Sequence, residues 1–216
     1  MLQASGIEKN YGELHILKGV DLAVAPAEII SIVGSSGAGK TTLLQILGTL
    51  DTPTKGQLLI EGKNPFELNE KALAHFRNQR LGFVFQFHQL LPEFTALENI
   101  ALPAMIGGCN QTDALKAAQK LLDRFGLMPR AQHKPEALSG GEQQRIAVAR
   151  ALINKPALVF ADEPSGNLDT ENANALHQLF FQLREEMKQS FVIVTHNASF
   201  AQMADRSLKM QDGQFV

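Results

Sequence analysis

Four short apolar runs, each bounded by glycine, proline or polar residues, are the clearest pattern along the chain. They are rich in Val, Ile and Phe and occupy residues 28–33, 81–85, 157–161 and 191–195. Runs of this length and composition are typical of strands that are buried on both faces. Helical patterns follow most of them, and strands that alternate with helices form parallel sheets covered by helices. The pattern therefore predicts an α/β fold with a mainly parallel sheet.

Residues 87–154 have a different pattern. Between two glycines at 107–108 and a glycine at 126, apolar side chains recur at the spacing of one helix face. They are Leu115, Ala118, Leu121, Leu122 and Phe125. We interpret residues 87–154 as a helical subdomain inserted into a single domain of residues 1–216, whose core comprises residues 1–86 and 155–216.

Two further segments alternate between apolar and polar residues as antiparallel strands do. They are KGVDLAVAPAE at residues 18–28 and GQLLIEG at residues 56–62. Near the end of the chain, Asp212 and Gly213 form a turn signal between two short strand patterns. The sequence therefore predicts an antiparallel β subdomain beside the parallel sheet.

GSSGAGKTT begins at Gly34, between the first predicted parallel strand and a predicted helix. It fits the phosphate-binding pattern G-x-x-x-x-G-K-[ST] in the structural context that this pattern requires. The glycines let backbone N–H groups face the phosphates, Lys40 adds charge at the β and γ phosphates, and Thr41 offers a hydroxyl to Mg²⁺. The predicted nucleotide-binding residues of this loop are Gly34, Ser35, Ser36, Gly37, Ala38, Gly39, Lys40, Thr41 and Thr42.

Asp162 and Glu163 come directly after the run ALVFA, at the end of a strand where α/β sheets bind ligands. We predict that Asp162 holds Mg²⁺ through its water shell and that Glu163 orients or polarises the attacking water. His196 and Gln86 follow two other runs. His196 is placed to donate to the γ-phosphate, and Gln86 is placed to touch Mg²⁺ or the water. The other histidines have no such placement and are interpreted as structural or surface residues: His15, His75, His88, His133 and His177.

LSGGEQQR, at residues 138–145, is a second loop that leads into a helix N-terminus, which is a ready site for an anion. Ser139, Gly140 and Gly141, with Glu142 beside them, offer a hydroxyl and backbone amides to a phosphate. Because they lie on the helical subdomain, we do not expect them to reach the nucleotide of their own P-loop. A second copy packed head to tail could place them on the γ-phosphate, which predicts an active site completed in a dimer.

Composition limits the partners. The 216 residues are 44% hydrophobic, which is ample for a buried core, and the net charge of -2 gives no general drive toward nucleic acid. A single cysteine, Cys109, cannot form an internal disulfide and suits a reducing compartment. The N-terminus lacks the pattern of a secretion signal, and no apolar run approaches the roughly 20 residues that a membrane crossing needs.

Six motifs, in this order, resemble the nucleotide-binding subunit of ATP-binding cassette (ABC) transporters: GSSGAGKT, Gln86, LSGGEQQR, VFADEP, GNLD and His196. The resemblance covers nearly the whole chain. It implies a P-loop NTPase of RecA-like fold that hydrolyses ATP with Mg²⁺, forms an ATP-dependent head-to-tail homodimer, and drives integral membrane permease subunits. It also implies that Asp169 of GNLD runs across the dimer interface and that Tyr11 stacks on adenine. Core packing of Tyr11 is the alternative.

Residues 80–100, RLGFVFQFHQLLPEFTALENI, are similar to the corresponding segment in ATPases of lipoprotein-releasing complexes. This resemblance implies a peripheral protein on the cytoplasmic face of the inner membrane. Its permease would release lipoproteins from that membrane toward a periplasmic carrier. ATPases of macrolide exporters and of cell-division complexes are close relatives and remain alternatives.

Five apolar residues within residues 80–100 allow two interpretations. They form either the core of the helical subdomain or a groove for the permease's coupling helix: Phe87, Leu90, Leu91, Phe94 and Leu97. Two other classes of function are less consistent with the sequence. ABC-type proteins that clamp DNA or ribosomes commonly carry two cassettes or basic stretches, and the paired LSGGE and ADEP motifs argue against a small-molecule kinase.

Overall fold

A computed structural model describes all of residues 1–216. The strands are β1 Leu2–Tyr11, β2 Leu14–Val24, β3 Ile29–Val33, β4 Lys55–Ile60, β5 Leu81–Phe85, β6 Leu158–Asp162, β7 Ser190–Val194, β8 Arg206–Gln211 and β9 Gln214–Phe215. The α-helices are α1 Lys40–Leu47, α2 Glu70–Arg80, α3 Ala96–Ile106, α4 Gln111–Arg124, α5 Gly140–Leu152, α6 Thr170–Met187 and α7 Ala198–Met203. None of these helices combines the length and the hydrophobicity that a membrane crossing requires.

The main sheet has six strands in the order β5-β6-β7-β3-β8-β9. All neighbouring pairs are parallel except β8 and β9. The four apolar runs are β3, β5, β6 and β7, with bounds that differ by at most one residue at either end from those predicted. Because parallel strands end at one edge of the sheet, the residues that follow β3, β6 and β7 are brought together there.

The C-terminal hairpin joins the edge of the main sheet. Asp212 and Gly213 have φ values of 47° and 82°, which the tight turn of a two-residue hairpin requires. Gly213 N donates to Ala38 O at 3.1 Å, and Gly213 O accepts from Lys18 N at 3.0 Å. A Cβ on Gly213 would lie 2.2 Å from Ile16 O, so only glycine fits. The hairpin thus ties the loop between β3 and α1 to β2.

A separate antiparallel sheet has the order β2-β1-β4. The two segments predicted as antiparallel strands contribute β2 and β4. The central strand, β1, was not predicted, although its buried residues Leu2, Ala4 and Ile7 carry part of an alternating pattern. The alternation is interrupted at Gly6, where the pairing with both neighbours shifts register, and this weakens the signal in the sequence.

The helices α3, α4 and α5 pack together and against the parallel sheet. The predicted apolar face of α4 is confirmed, because Ala118 and Leu122 are buried with Ala114 while Leu115 and Leu121 pack partly against the same core. One continuous hydrophobic cluster joins these helices to the sheet. The boundaries of an inserted subdomain at residues 87 and 154 therefore stay a prediction.

Candidate functional site

Glycines shape the loop between β3 and α1. A Cβ on Gly34 would lie 2.2 Å from Met210 O on β8, so any side chain would collide with the backbone there. Gly39 has a φ of 98°, in a region that glycine adopts at little cost. The loop can therefore turn sharply from the sheet into α1 while it packs against β8.

The start of α1 has no side-chain cap. Its N-cap is Gly39, and the backbone N–H groups of residues 40–42 find no acceptor within the protein. Lys40 is only 7% exposed, and its Nζ donates to Gly34 O at 2.9 Å and Ser35 O at 2.8 Å. Free N–H groups at a helix start, next to a lysine, form a site for an anion such as a phosphate.

A cavity of about 280 Å³ lies between this helix start and the ends of β6 and β7. Its lining residues are Ile16, Ser36, Gly37, Gly39, Lys40, Thr41, Thr42, Asp162, Glu163, Val194 and His196. The structure therefore brings most of the predicted P-loop residues together with both acids and the histidine. Gly34, Ser35 and Ala38 belong to the same loop but do not line the cavity.

Asp162 is the last residue of β6 and lies close to the first turn of α1. Burial raises the pKa of the Asp162 carboxyl, while the Thr41 hydroxyl and the charge of Lys40 favour its ionised form. A hydroxyl and one carboxylate fit Mg²⁺, which prefers oxygen ligands and usually combines one or two carboxylates with phosphate oxygens. Thr41 and Asp162 are thus suited to hold this metal together with a nucleotide.

Glu163 adopts a left-handed backbone conformation with a φ of 45°, which is uncommon for a residue with a side chain and is found mainly in turns and at functional sites. Its N–H donates to Val194 O at 2.9 Å, and its carbonyl accepts from Gly166 N at 3.0 Å. These two hydrogen bonds hold the backbone of Glu163 in the turn that follows β6.

The Glu163 carboxylate faces His196. Oε2 accepts from His196 N at 3.1 Å. The His196 Nε2 lies 3.0 Å from Oε1, but no hydrogen bond joins them, and Oε1 is buried with no other partner. Burial raises the pKa of Glu163, and His196 opposes that shift. A buried acceptor without a donor costs about 1–3 kcal/mol.

A second cavity, of about 420 Å³, shares Glu163 and His196 with the first. Its lining residues are Gln86, Glu163, Ser165, Gly166, Thr195, His196 and Asn197. Gln86 Nε2 donates to Asn167 Oδ1 at 3.1 Å, and Asn167 Nδ2 donates to Gln86 O at 3.2 Å. Gln86 therefore lies near Glu163 but does not line the cavity of Thr41 and Asp162, and its contact with Mg²⁺ stays a prediction. Ser165, which the sequence analysis did not select, lies between the motifs VFADEP and GNLD.

The second helix start, α5, is capped within the chain. Ser139 Oγ accepts from Glu142 N at 3.2 Å, and Glu142 Oε2 accepts from Ser139 N at 2.8 Å. Arg130 Nε donates to Glu142 Oε1 at 2.7 Å, and this contact lowers the pKa of Glu142. None of residues 139–142 lines the P-loop cavity of the same chain.

Asp169 lies at the start of α6, beside the start of α5. It is the N-cap of α6, and its Oδ1 accepts from Asn172 N at 2.9 Å. These hydrogen bonds to the backbone and side chain of Asn172 lower the pKa of Asp169. A Cβ on Gly141 would lie 2.2 Å from Asn172 Oδ1. The LSGGE and GNLD motifs therefore form one continuous surface.

Tyr11, at the end of β1, is 50% exposed, so its ring is not a core side chain. The hydroxyl donates to Asp51 Oδ2 at 2.6 Å, and Lys9 Nζ lies 4.8 Å from the ring centre. The ring lines neither cavity described above. Stacking on adenine stays a prediction, for which the exposed ring is available.

The five apolar residues around position 90 separate into two groups. Leu97 is buried and Leu90 packs against the core. Phe87 is 71% exposed, and Leu91 and Phe94 are also exposed. They do not line the groove of about 380 Å³ between α2, β5, α3 and α5. Core packing therefore applies to two residues, and the other three present an apolar surface beside Gln86.

The chain is similar to known proteins over most of its length. A family model described as ABC transporter matches residues 17–166. The lipoprotein-releasing system ATP-binding protein LolD of Bacteroides fragilis is 56% identical over 216 residues, which is 100% of each chain. The LolD of Bacteroides thetaiotaomicron is 57% identical over 213 residues, covering 99% of this chain and 98% of that protein.

Two solved structures share the fold. A dimeric bacterial ABC transporter cassette has a TM-score of 0.90 at 38% identity, covering 100% of this chain and 96% of that chain. A dimeric ATP-binding cassette in a post-hydrolysis state, bound to ADP and Pi, has a TM-score of 0.89 at 37% identity and the same coverage. The predicted α/β fold, with a mainly parallel sheet, an antiparallel β sheet and added helices, is confirmed.

Proposed function

The chain belongs to the ABC transporter family, and from that premise we propose that it drives a membrane permease that releases lipoproteins from the inner membrane toward a periplasmic carrier. It is an ATPase that uses ATP with Mg²⁺. The full-length identity to LolD proteins, at 56–57%, is the observation that supports lipoproteins as the cargo. We place the protein at the cytoplasmic face of the inner membrane, as a peripheral subunit of the permease.

The first helix start binds the nucleotide in this proposal. The free N–H groups of α1 and the Lys40 ammonium take the β and γ phosphates, replacing the loop carbonyls that Lys40 contacts. Thr41 and Asp162 would hold Mg²⁺, which would supply positive charge to neutralise the phosphates. Tyr11 offers its exposed ring to the adenine.

Glu163 acts as the general base. Its Oε1 is buried beside the His196 ring and has no donor, so an attacking water gains a hydrogen bond there when the ring moves aside. The raised pKa of Glu163 moves the carboxylate toward the range in which a base is most effective. His196, whose ring is largely exposed to the cavity, orients the γ-phosphate and the water. When the hydrogen bonds between Gln86 and Asn167 break, the Gln86 side chain contacts the attacking water.

A second copy of the chain supplies the remaining contacts. Residues 139–142 of each subunit contact the nucleotide held by the other, and Asp169 lies at the interface. Binding of two nucleotides closes the dimer, and hydrolysis removes the contacts that favour the closed state. The opening and closing pull on two permease subunits.

Replacing Glu163 tests the chemistry. Glu163→Gln keeps the size of the side chain but removes the base, so we expect ATP binding to persist and hydrolysis to fall at least about hundredfold. ATP affinity and steady-state turnover measure the two effects separately. Near-normal turnover in this variant would exclude Glu163 as the base.

The same variant identifies the cargo, because it holds ATP without hydrolysing it. Tagged Glu163→Gln protein is recovered from detergent-solubilised membranes with ATP and Mg²⁺, and its partners are identified by mass spectrometry. We expect permeases with large periplasmic domains that carry lipoproteins. Recovery of a drug-efflux adaptor or an activator of cell-wall hydrolases would change the cargo, and recovery of ribosomes or DNA would contradict the membrane partner.

A further inference from the structure

One buried histidine has no role in the proposed mechanism. His177 lies on α6 and is 4% exposed. The sequence analysis interpreted it only as a structural or surface residue. Its Nε2 lies 3.0 Å from Ser165 Oγ. Its ring packs on Phe200, with 4.6 Å between the ring centres and a tilt of 43°.

Both contacts lead to the proposed catalytic residues. Ser165 follows Glu163 by two residues and lines the cavity that Glu163 shares with His196. Phe200 follows His196 by four residues and packs at the start of α7, where its N–H donates to Asn197 Oδ1 at 2.9 Å. One side chain on α6 thus touches both the turn that follows Glu163 and the helix α7 that follows His196.

A purely space-filling role does not account for this arrangement. Burial lowers the pKa of His177, which keeps the ring neutral, and a buried imidazole without a partner would be less favourable than an apolar side chain of similar size. Ser165 provides the partner. The turn at Glu163 also needs support, because its left-handed backbone conformation, with a φ of 45°, is unfavourable for a side-chain residue.

We propose that His177 is a positioning residue, which fixes Glu163 through Ser165 and fixes His196 through Phe200 of α7. The proposal rests on the proposed role of Glu163 as general base. Neither His177 nor Ser165 needs to touch the nucleotide, so their effect is on the placement of the base and of the water. Small misplacements of catalytic groups lower turnover strongly.

Two substitutions remove the contact between His177 and Ser165, each by changing one of the two partners. Ser165→Ala removes one oxygen at a cavity wall and leaves the fold in place, while His177→Met removes the polar ring and keeps an apolar side chain. We expect each to lower kcat about tenfold with an unchanged KM for ATP. Because both variants remove the same contact, the double variant should be no slower than the slower single one. His177→Gln, whose amide nitrogen reaches about as far as Nε2, should retain most of the activity.

A buried serine far from the site provides the control. Ser190 is 1% exposed, and its Oγ donates to Ala25 O at 3.3 Å at the opposite end of the sheet. Ser190→Ala loses a comparable hydrogen bond, so it should lower the melting temperature about as much as Ser165→Ala while kcat stays unchanged. Melting curves and kcat are measured for every variant.

The outcomes separate the two proposals. A normal kcat in Ser165→Ala, or losses in the two single variants that multiply in the double variant, would overturn the positioning role of His177. Turnover of Glu163→Gln at the normal rate would instead remove the proposed base, whatever the result at His177.

Discussion

The chain has two helix starts suited to a phosphate, and they differ in how their hydrogen-bond donors are used. At α1 the N-cap is Gly39, no side chain caps the helix, and the first N–H groups have no acceptor. At α5 a reciprocal pair, Ser139 and Glu142, caps the helix, and Arg130 holds Glu142 in place. The first start is open to a ligand in a single chain, and the second is already satisfied.

This difference assigns different tasks to the two starts. An uncapped helix start gains the full set of hydrogen bonds when a phosphate arrives, so α1 is expected to bind nucleotide in the isolated subunit. At α5 the Ser139 hydroxyl already accepts a hydrogen bond from Glu142 N, and a phosphate must share that hydroxyl. The second start therefore contributes only when a neighbouring subunit presents a nucleotide to it.

Lys40→Ala should produce the largest effect. It removes the one ammonium at α1, and a hydrogen bond to a charged group contributes roughly 1.5–3 kcal/mol, so ATP affinity should fall about hundredfold. Titration of the isolated subunit with a fluorescent ATP analogue measures it. Lys71→Ala, at an exposed position on α2, is the matched control and should bind normally. Equal affinity in the two variants would contradict the P-loop assignment.

Ser139→Ala should leave nucleotide binding by the isolated subunit unchanged and lower kcat about tenfold, since the hydroxyl acts only across the dimer. It should also cost about 1 kcal/mol of unfolding free energy, because an N-cap is lost. Thr95→Ala is the matched control, because Thr95 caps α3 with Glu98 in the same reciprocal arrangement. It should lose similar stability and keep kcat. If Ser139→Ala weakened ATP binding to the monomer, the two helix starts would not have the separate tasks described above.

The smallest effects concern pH. Glu142 has a lowered pKa, mainly because of Arg130, so its charge stabilises the folded state at neutral pH, and that contribution disappears below its ordinary value of 4.5. Glu163 has a pKa raised by burial, so its charge destabilises the folded state, and this cost disappears as the pH falls toward 4.5.

Melting temperatures of the nucleotide-free protein between pH 7 and 3 measure both effects. Glu142→Gln should melt lower than the unsubstituted protein at pH 7, and Glu163→Gln should melt higher, each by less than about 1 kcal/mol in unfolding free energy. On acidification the Glu163 difference should disappear first. If both variants changed the melting temperature at pH 7 in the same direction, the charges of Glu142 and Glu163 would not have opposite effects on stability.

The residues that follow the apolar runs could be predicted from the sequence because local patterns locate them. Asp162, Glu163 and His196 each follow a strand whose composition identifies it, and parallel strands end at one edge. The glycines and Lys40 belong to a pattern with a known geometry. These two facts were sufficient to assemble the P-loop cavity without any knowledge of the distances within it.

Contacts between distant side chains could not be predicted in the same way. The partners of Gln86 and His177, Asn167 and Ser165, lie 81 and 12 residues away along the chain, and no periodic pattern connects either pair. β1 was missed because Gly6 interrupts its alternation. Such features depend on tertiary packing, which overrides what short stretches of sequence prefer.

The hairpin of β8 and β9 has a consequence for the time at which the protein gains its activity during synthesis. The nucleotide-binding loop is translated long before Met210 and Gly213, which pack against Gly34 and Ala38. A nascent chain therefore carries every phosphate-binding residue long before the loop has its final neighbours. Chains stalled on the ribosome after Asp205 should accordingly bind ATP more weakly than chains stalled after a linker that is added behind Val216.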